Sequence, residues 1–171
     1  MKITKLGSAK NCIAALAVGL AVSQATVAAQ GAVAPERSIE GVWRVTVTPR
    51  NCVTGVPIPI AAFEALYTFH KDGTLSAWFQ NSTITTTRSP NHGLWKRENG
   101  WSDYSSKFVH LRYNLTTGVF IGRQEGAGTL VLDESGDEFT TDGSTALFDA
   151  NGNPTGTSCS NSVGTRFKFE Q

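Results

Sequence analysis

No apolar run in this 171-residue sequence reaches the roughly 20 residues that a membrane-spanning helix needs. The longest, Cys12 to Val22, is about half that. An excess of one charge is missing too. Fifteen Lys and Arg stand against 14 Asp and Glu, which leaves no basic surface of the kind that binds nucleic acid. Cysteine is scarce, 3 in all, and no two are close enough for a Cys-x-x-Cys redox pair. Helical periodicity is absent as well. Only Ala61–Leu66 could hold a helical turn, and it is too short to form a stable helix. There is no internal repeat and no low-complexity run. A helical bundle and a helix-covered parallel sheet are therefore both excluded.

What is present begins at the N-terminus. Lys2, Lys5 and Lys10 precede the apolar run, and small residues follow it, with Val27 and Ala29 at the −3 and −1 positions. That order predicts a signal peptide over residues 1–29, cleaved after Ala29, and hence an exported protein, periplasmic or secreted, with no stable membrane insertion. Cleavage removes three lysines and Cys12, leaving 12 basic residues against 14 acidic, a balance of −2, and the pair Cys52 and Cys159. In an oxidising compartment an even pair predicts a disulfide. It closes a loop of about 107 residues, which the chain-entropy model values at about 4–5 kcal/mol. Residues 30–40, small and interrupted by Pro35, read as a flexible arm. Residues 41–171 are then a single domain of ordinary size.

Within that domain, alternation is the dominant signal. Trp43, Val45 and Val47 share one face of a strand whose other face is Arg44, Thr46 and Thr48. Asp72-Gly73 predicts a two-residue type I′ hairpin, after which Thr74 to Thr87 reads as one long strand. Turns follow at Ser89-Pro90-Asn91, Glu98-Asn99-Gly100, Thr116-Thr117-Gly118, Glu134–Asp137 and Asn151–Pro154. About eight short antiparallel strands joined by tight turns mean a sandwich or an up-and-down barrel. In a closed barrel the first and last strands are neighbours, so Arg166 can lie over the indole of Trp43 in a cation–π stack worth about 0.5–2 kcal/mol. A Cys52–Cys159 bridge suits the same closure.

Gly41, Trp43 and Arg166 together resemble the lipocalin–calycin superfamily, whose members carry Gly-x-Trp on the first strand and a late Arg packed on that Trp. The resemblance implies an antiparallel barrel of about eight strands with a ligand site in its lumen. The sequence departs from kernel lipocalins in lacking a Thr-Asp-Tyr-type motif and a helix after the barrel.

Several residues are candidates for chemistry. His92, beside Gly93 at the start of a strand, can serve as an acid–base group if it points into a barrel mouth; otherwise it belongs to a rim turn with Arg88. His110 and Arg112 share a face with Phe108, either towards solvent or towards the lumen. If they face inward they would orient the polar or anionic head of a ligand in a mostly apolar pocket. Tyr67 and Tyr113 complete the catalytic candidates, and Trp78, Phe79, Phe108 and Phe120 are the aromatic candidates for ligand contact. The spacing of His70, His92 and His110 suits no local metal site, and no cofactor is expected. Asp149–Asn153 resembles a calcium loop but has Pro154 where an EF-hand needs Gly.

Three functions fit these residues. The first is an exported barrel that binds a small, largely apolar ligand. The second is a cofactor-free isomerase or cyclase on the same scaffold, resembling the allene oxide cyclase type of barrel. The third is a protein-binding barrel, such as a protease inhibitor, acting through the Gln30–Glu40 arm.

Overall fold

Strands that alternate apolar and polar residues bury one face by closing on themselves, and this chain does so almost throughout. A computed structural model describes residues 37–80 and 86–169; the signal peptide expected over 1–29 and residues 30–36 of the arm lie outside them. Nine strands form: β1 (Gly41–Arg50), β2 (Phe63–Phe69), β3 (Thr74–Phe79), β4 (Thr86–Arg88), β5 (Asn91–Arg97), β6 (Asp103–Asn114), β7 (Phe120–Leu132), β8 (Glu138–Phe148) and β9 (Pro154–Arg166). Every pairing is antiparallel. Pairing of β1 with β9 and of β6 with β7 closes eight of the strands into a barrel, and short β4 adds to β6 beyond the end of β5.

Two local expectations change. The β2–β3 connection has three residues, Lys71 to Gly73, between His70 and Thr74, which are joined by a backbone hydrogen bond. Gly73 sits at φ 83°, so the turn is one residue longer than the two-residue hairpin expected. The long strand expected from Thr74 to Thr87 is two elements: β3 ends at Phe79, and β4 joins a different neighbour, placing Arg88 opposite Arg112.

One end of the barrel is packed solid. Trp43, Phe69, Leu75, Tyr104, Leu130, Leu132 and Phe139 are all buried there together with Ile39. Phe139 meets Trp43 edge-on with ring centroids 4.8 Å apart and Phe69 at 5.9 Å. Residues 38–40, expected to belong to a flexible arm, cap this end. The Trp43 indole donates to the Ile39 carbonyl (2.9 Å), and the Arg166 guanidinium donates to the carbonyls of Ser38 and Glu40, each at 2.6 Å. Arg166 also lies over Trp43, 4.2 Å from the ring centroid. Glycine is required at position 41: its φ is 127°, and a Cβ there would sit 2.9 Å from the Arg166 guanidinium.

The opposite end is held by the Cys52–Cys159 disulfide, with Cα atoms 5.2 Å apart. It ties the segment after β1 to the middle of β9. Among the described residues, no helix is long and apolar enough to cross a membrane.

Candidate functional site

The barrel is not filled to its open end. Above the packed core lies a cavity of about 490 Å³, within the range that encloses a drug-sized molecule. Its two walls differ in chemistry because the strands behind them differ. Inward positions on β1, β2, β3 and β6 supply Val47, Tyr67, Phe79 and Phe108, with Phe63 beside them, and make an apolar, largely aromatic wall. Inward positions on β8 and β9 are small and polar, and Thr141, Gly143, Thr145, Ser158, Ser160 and Ser162 make the other wall. Glycine makes room for one of these rings. A Cβ on Gly126 would fall 2.2 Å from the Phe108 ring, so the bare backbone of β7 lets that ring lie flat against it.

Three polar side chains from neighbouring strands gather beside the aromatic wall. His110 on β6 is 2% exposed, and its ring is stacked parallel to Phe108. Asn91 on β5 is also buried; its amide donates to the Ala77 carbonyl (3.0 Å), which turns its Oδ1 towards His110 Nδ1 at 2.7 Å. Because Oδ1 can only accept, Nδ1 carries the imidazole proton and Nε2 keeps its lone pair. That Nε2 is buried and, among the described residues, makes no hydrogen bond of good geometry, although Gln124 stands close enough to raise the pKa of the ring. On β7, directly across from His110, Gln124 donates to Thr145 Oγ1 (2.9 Å), which in turn meets Ser158 Oγ at 2.6 Å.

Two cations complete the group. Arg88 lines the cavity and lies about as close to Phe63 as to Phe79, 6.0 and 5.9 Å from the two ring centroids. Arg112 stands opposite it in register. Burial, then the neighbouring charge of Arg112, lowers the pKa of Arg88. Burial, followed by the fields of Arg88 and Arg112, pushes the His110 imidazole down to about 4, with Gln124 acting in the opposite sense. At neutral pH the site therefore holds a neutral imidazole beside two cations.

No family model matches this chain. No curated protein matches it at a significant level either. The geometry alone therefore carries the functional argument.

The structure brings some of the expected residues together and separates others. His110, Arg112, Phe79 and Phe108 lie on the inner face. Tyr67 reaches the floor of the cavity, and burial raises its phenol pKa. His92 is on the outer face, exposed, because Asn91 takes the inward position and strand neighbours alternate. Trp78 also faces outward and is 54% exposed, next to Leu66 in register. Phe120 is 40% exposed and pairs with Tyr113 beyond the register shift that follows Arg112. Arg88, Asn91, Gln124 and the hydroxyl wall were not among the candidates. Small residues stand at every second position of that wall, Thr141-Gly143-Thr145 and Ser158-Ser160-Ser162, but the residues between them are mostly small or polar as well.

The buried imidazole makes stability depend on pH. The folded-state pKa of about 4 lies below the ordinary value of 6.5, so the unfolded chain takes up the proton first. His110 therefore contributes stability that is fully present above about pH 6.5 and is lost as pH falls towards 4, amounting to about 3 kcal/mol at most. Denaturant midpoints measured from pH 7 to pH 4 are expected to fall less in His110→Gln than in the wild type. Parallel curves would show that His110 is not a buried neutral group.

Proposed function

We propose that this protein is an exported, calycin-like barrel that holds one small, largely apolar molecule in the open half of its lumen. The observation that carries this reading is the cavity of about 490 Å³ walled by Val47, Phe63, Tyr67, Phe79 and Phe108. A lumen of this strand number can be filled by side chains alone, and here small residues on β8 and β9 leave it open. The Trp43–Arg166 stack supports the calycin likeness, and the disulfide fits export to an oxidising compartment.

N-phenyl-1-naphthylamine, a neutral dye that fluoresces in apolar surroundings, tests the reading. One dye is expected to bind per chain. Ser160→Leu, which places a bulky side chain on the cavity wall, is expected to weaken binding at least about tenfold, a loss of about 1.4 kcal/mol. No saturable binding by the wild type, or unchanged affinity in Ser160→Leu, rules out the lumen as the site.

A second reading, a cofactor-free isomerase or cyclase, rests on the buried Nε2 of His110, which makes no hydrogen bond of good geometry among the described residues. Asn91 fixes its tautomer, as a positioned base requires. A pKa near 4 makes it a weak base at neutral pH, and on that ground binding is the better-supported function. For the protein-binding reading, Ser38–Glu40 of the proposed arm are engaged in capping their own barrel.

A further inference from the structure

Arg88, which lines the cavity, and Arg112, opposite it in register, are half-buried, whereas Arg37 and Arg44, which also lack a carboxylate partner among the described residues, are exposed. Arg50, Arg123 and Arg166 each have a carboxylate within ion-pair distance. Arg88 and Arg112 make no ion pair and no side-chain hydrogen bond among the described residues. They face each other across the β4–β6 ladder, although like charges placed directly opposite are destabilising. The rings beneath Arg88 attract a cation only weakly. Burying a charge without a counterion is costly, and none is provided among the described residues. Residues that lower stability without a structural return are the ones a function retains.

We infer that Arg88 and Arg112 form the recognition site for the anionic head of the ligand, which makes that ligand an amphiphilic organic anion. This inference rests on the lumen-binding reading and narrows it to a chemical class. The head, a carboxylate or sulfonate with one negative charge, sits between the guanidiniums at the cavity mouth. Each guanidinium presents a planar fork of donors that matches such oxyanions in pairs. The body lies below, with its apolar face on Phe63, Phe79 and Phe108. Any oxygen substituents are directed at the hydroxyls of Ser158, Ser160 and Thr145. The aromatic wall of Phe63, Phe79 and Phe108 suits a ring-containing acid.

The experiment compares 1-anilinonaphthalene-8-sulfonate with N-phenyl-1-naphthylamine, which share a skeleton and differ by the sulfonate. The purified wild-type protein is expected to bind the anionic dye at least about tenfold more tightly, since hydrogen bonds to an ionised group are the strong ones. The preference is expected to shrink as salt is raised. Arg88→Gln and Arg112→Gln are each expected to remove most of it. Neither variant is expected to be less stable than the wild type, because each relieves a repulsion.

A readout inside the site is the His110 titration followed by NMR. The charged groups facing that ring are Arg88 and Arg112, alongside neutral Asn91 and Gln124, so a bound anion raises its pKa and the neutral dye does not. If both dyes bind equally, or if the preference survives both substitutions, the anion site is overturned while lumen binding stands. If neither dye binds the wild type, lumen binding itself fails, and the anion site with it. The wild-type comparison requires no variant to fold.

Discussion

Replacing Trp43 with Ala is expected to lower unfolding free energy by about 3–5 kcal/mol, the usual effect of truncating a fully buried aromatic. For a domain of this size that is a fifth or more of a total of about 5–15 kcal/mol, so the variant should be markedly weakened at 37 °C. The size of the effect follows from what the indole touches. It is 0% exposed, packs edge-on against Phe139 at 4.8 Å, and donates to the Ile39 carbonyl at 2.9 Å. Alanine opens a cavity in the rigid closed end and leaves that carbonyl without its donor. Trp43→Phe keeps most of the volume and should cost less.

The same residue tests the closure. Arg166→Ala removes the donors of Ser38, Glu40 and Gly136 carbonyls together with the stack on Trp43. A double-mutant cycle with Trp43→Ala is expected to give a coupling of at least about 0.5 kcal/mol, since residues in contact are not additive. Chemical denaturation of the four proteins supplies the measurement. Strict additivity would mean that the stack contributes nothing and that the cap is held by hydrogen bonds alone.

The barrel itself was legible in the sequence because its physical cause is local. Trp43-Val45-Val47 on β1 and the Phe108-His110-Arg112 row on β6 repeat with period two, and turn residues fall between the strands. Which face of β6 pointed inward was not legible. Its outer face carries Val109 and Leu111, 38% and 40% exposed, so both faces read as partly apolar. His92 was misleading for a related reason. The break at Ser89-Pro90 resets the alternation, and a shift of one residue decides whether Asn91 or His92 enters the lumen. The hydroxyl wall was hidden by its own composition. On β9 the inward Ser158, Ser160 and Ser162 alternate with outward Thr157, Cys159 and Asn161, so polarity does not distinguish the faces. Arg88 could be placed only once β4 was seen to pair with β6, a contact between residues 24 apart in sequence, Arg88 and Arg112. No local pattern encodes such a pairing.

Removal of the Cys52–Cys159 bridge is expected to have an effect as large as that of Trp43→Ala, by a different route. The bridge spans 107 residues, and the loop-entropy model assigns a closure of that length about 4–5 kcal/mol. Most of this acts on the unfolded chain, where the bridge holds the first and last strands near each other. Those strands must meet to close the barrel: Trp43 pairs with Arg166, and the ladder runs on to Arg50 opposite Cys159. Contacts so distant in sequence carry the largest closure cost and slow folding the most. The paired substitution Cys52→Ser with Cys159→Ser should therefore lower stability by about 3–5 kcal/mol and slow refolding more than it speeds unfolding. The β1–β9 ladder can persist once formed, so the folded barrel should keep its near-UV circular dichroism. Stopped-flow folding and unfolding rates of the wild type and the double serine variant separate the two limbs. If the whole loss appeared in the unfolding rate, the bridge would be acting on the folded state, as a clamp at the mouth of the cavity.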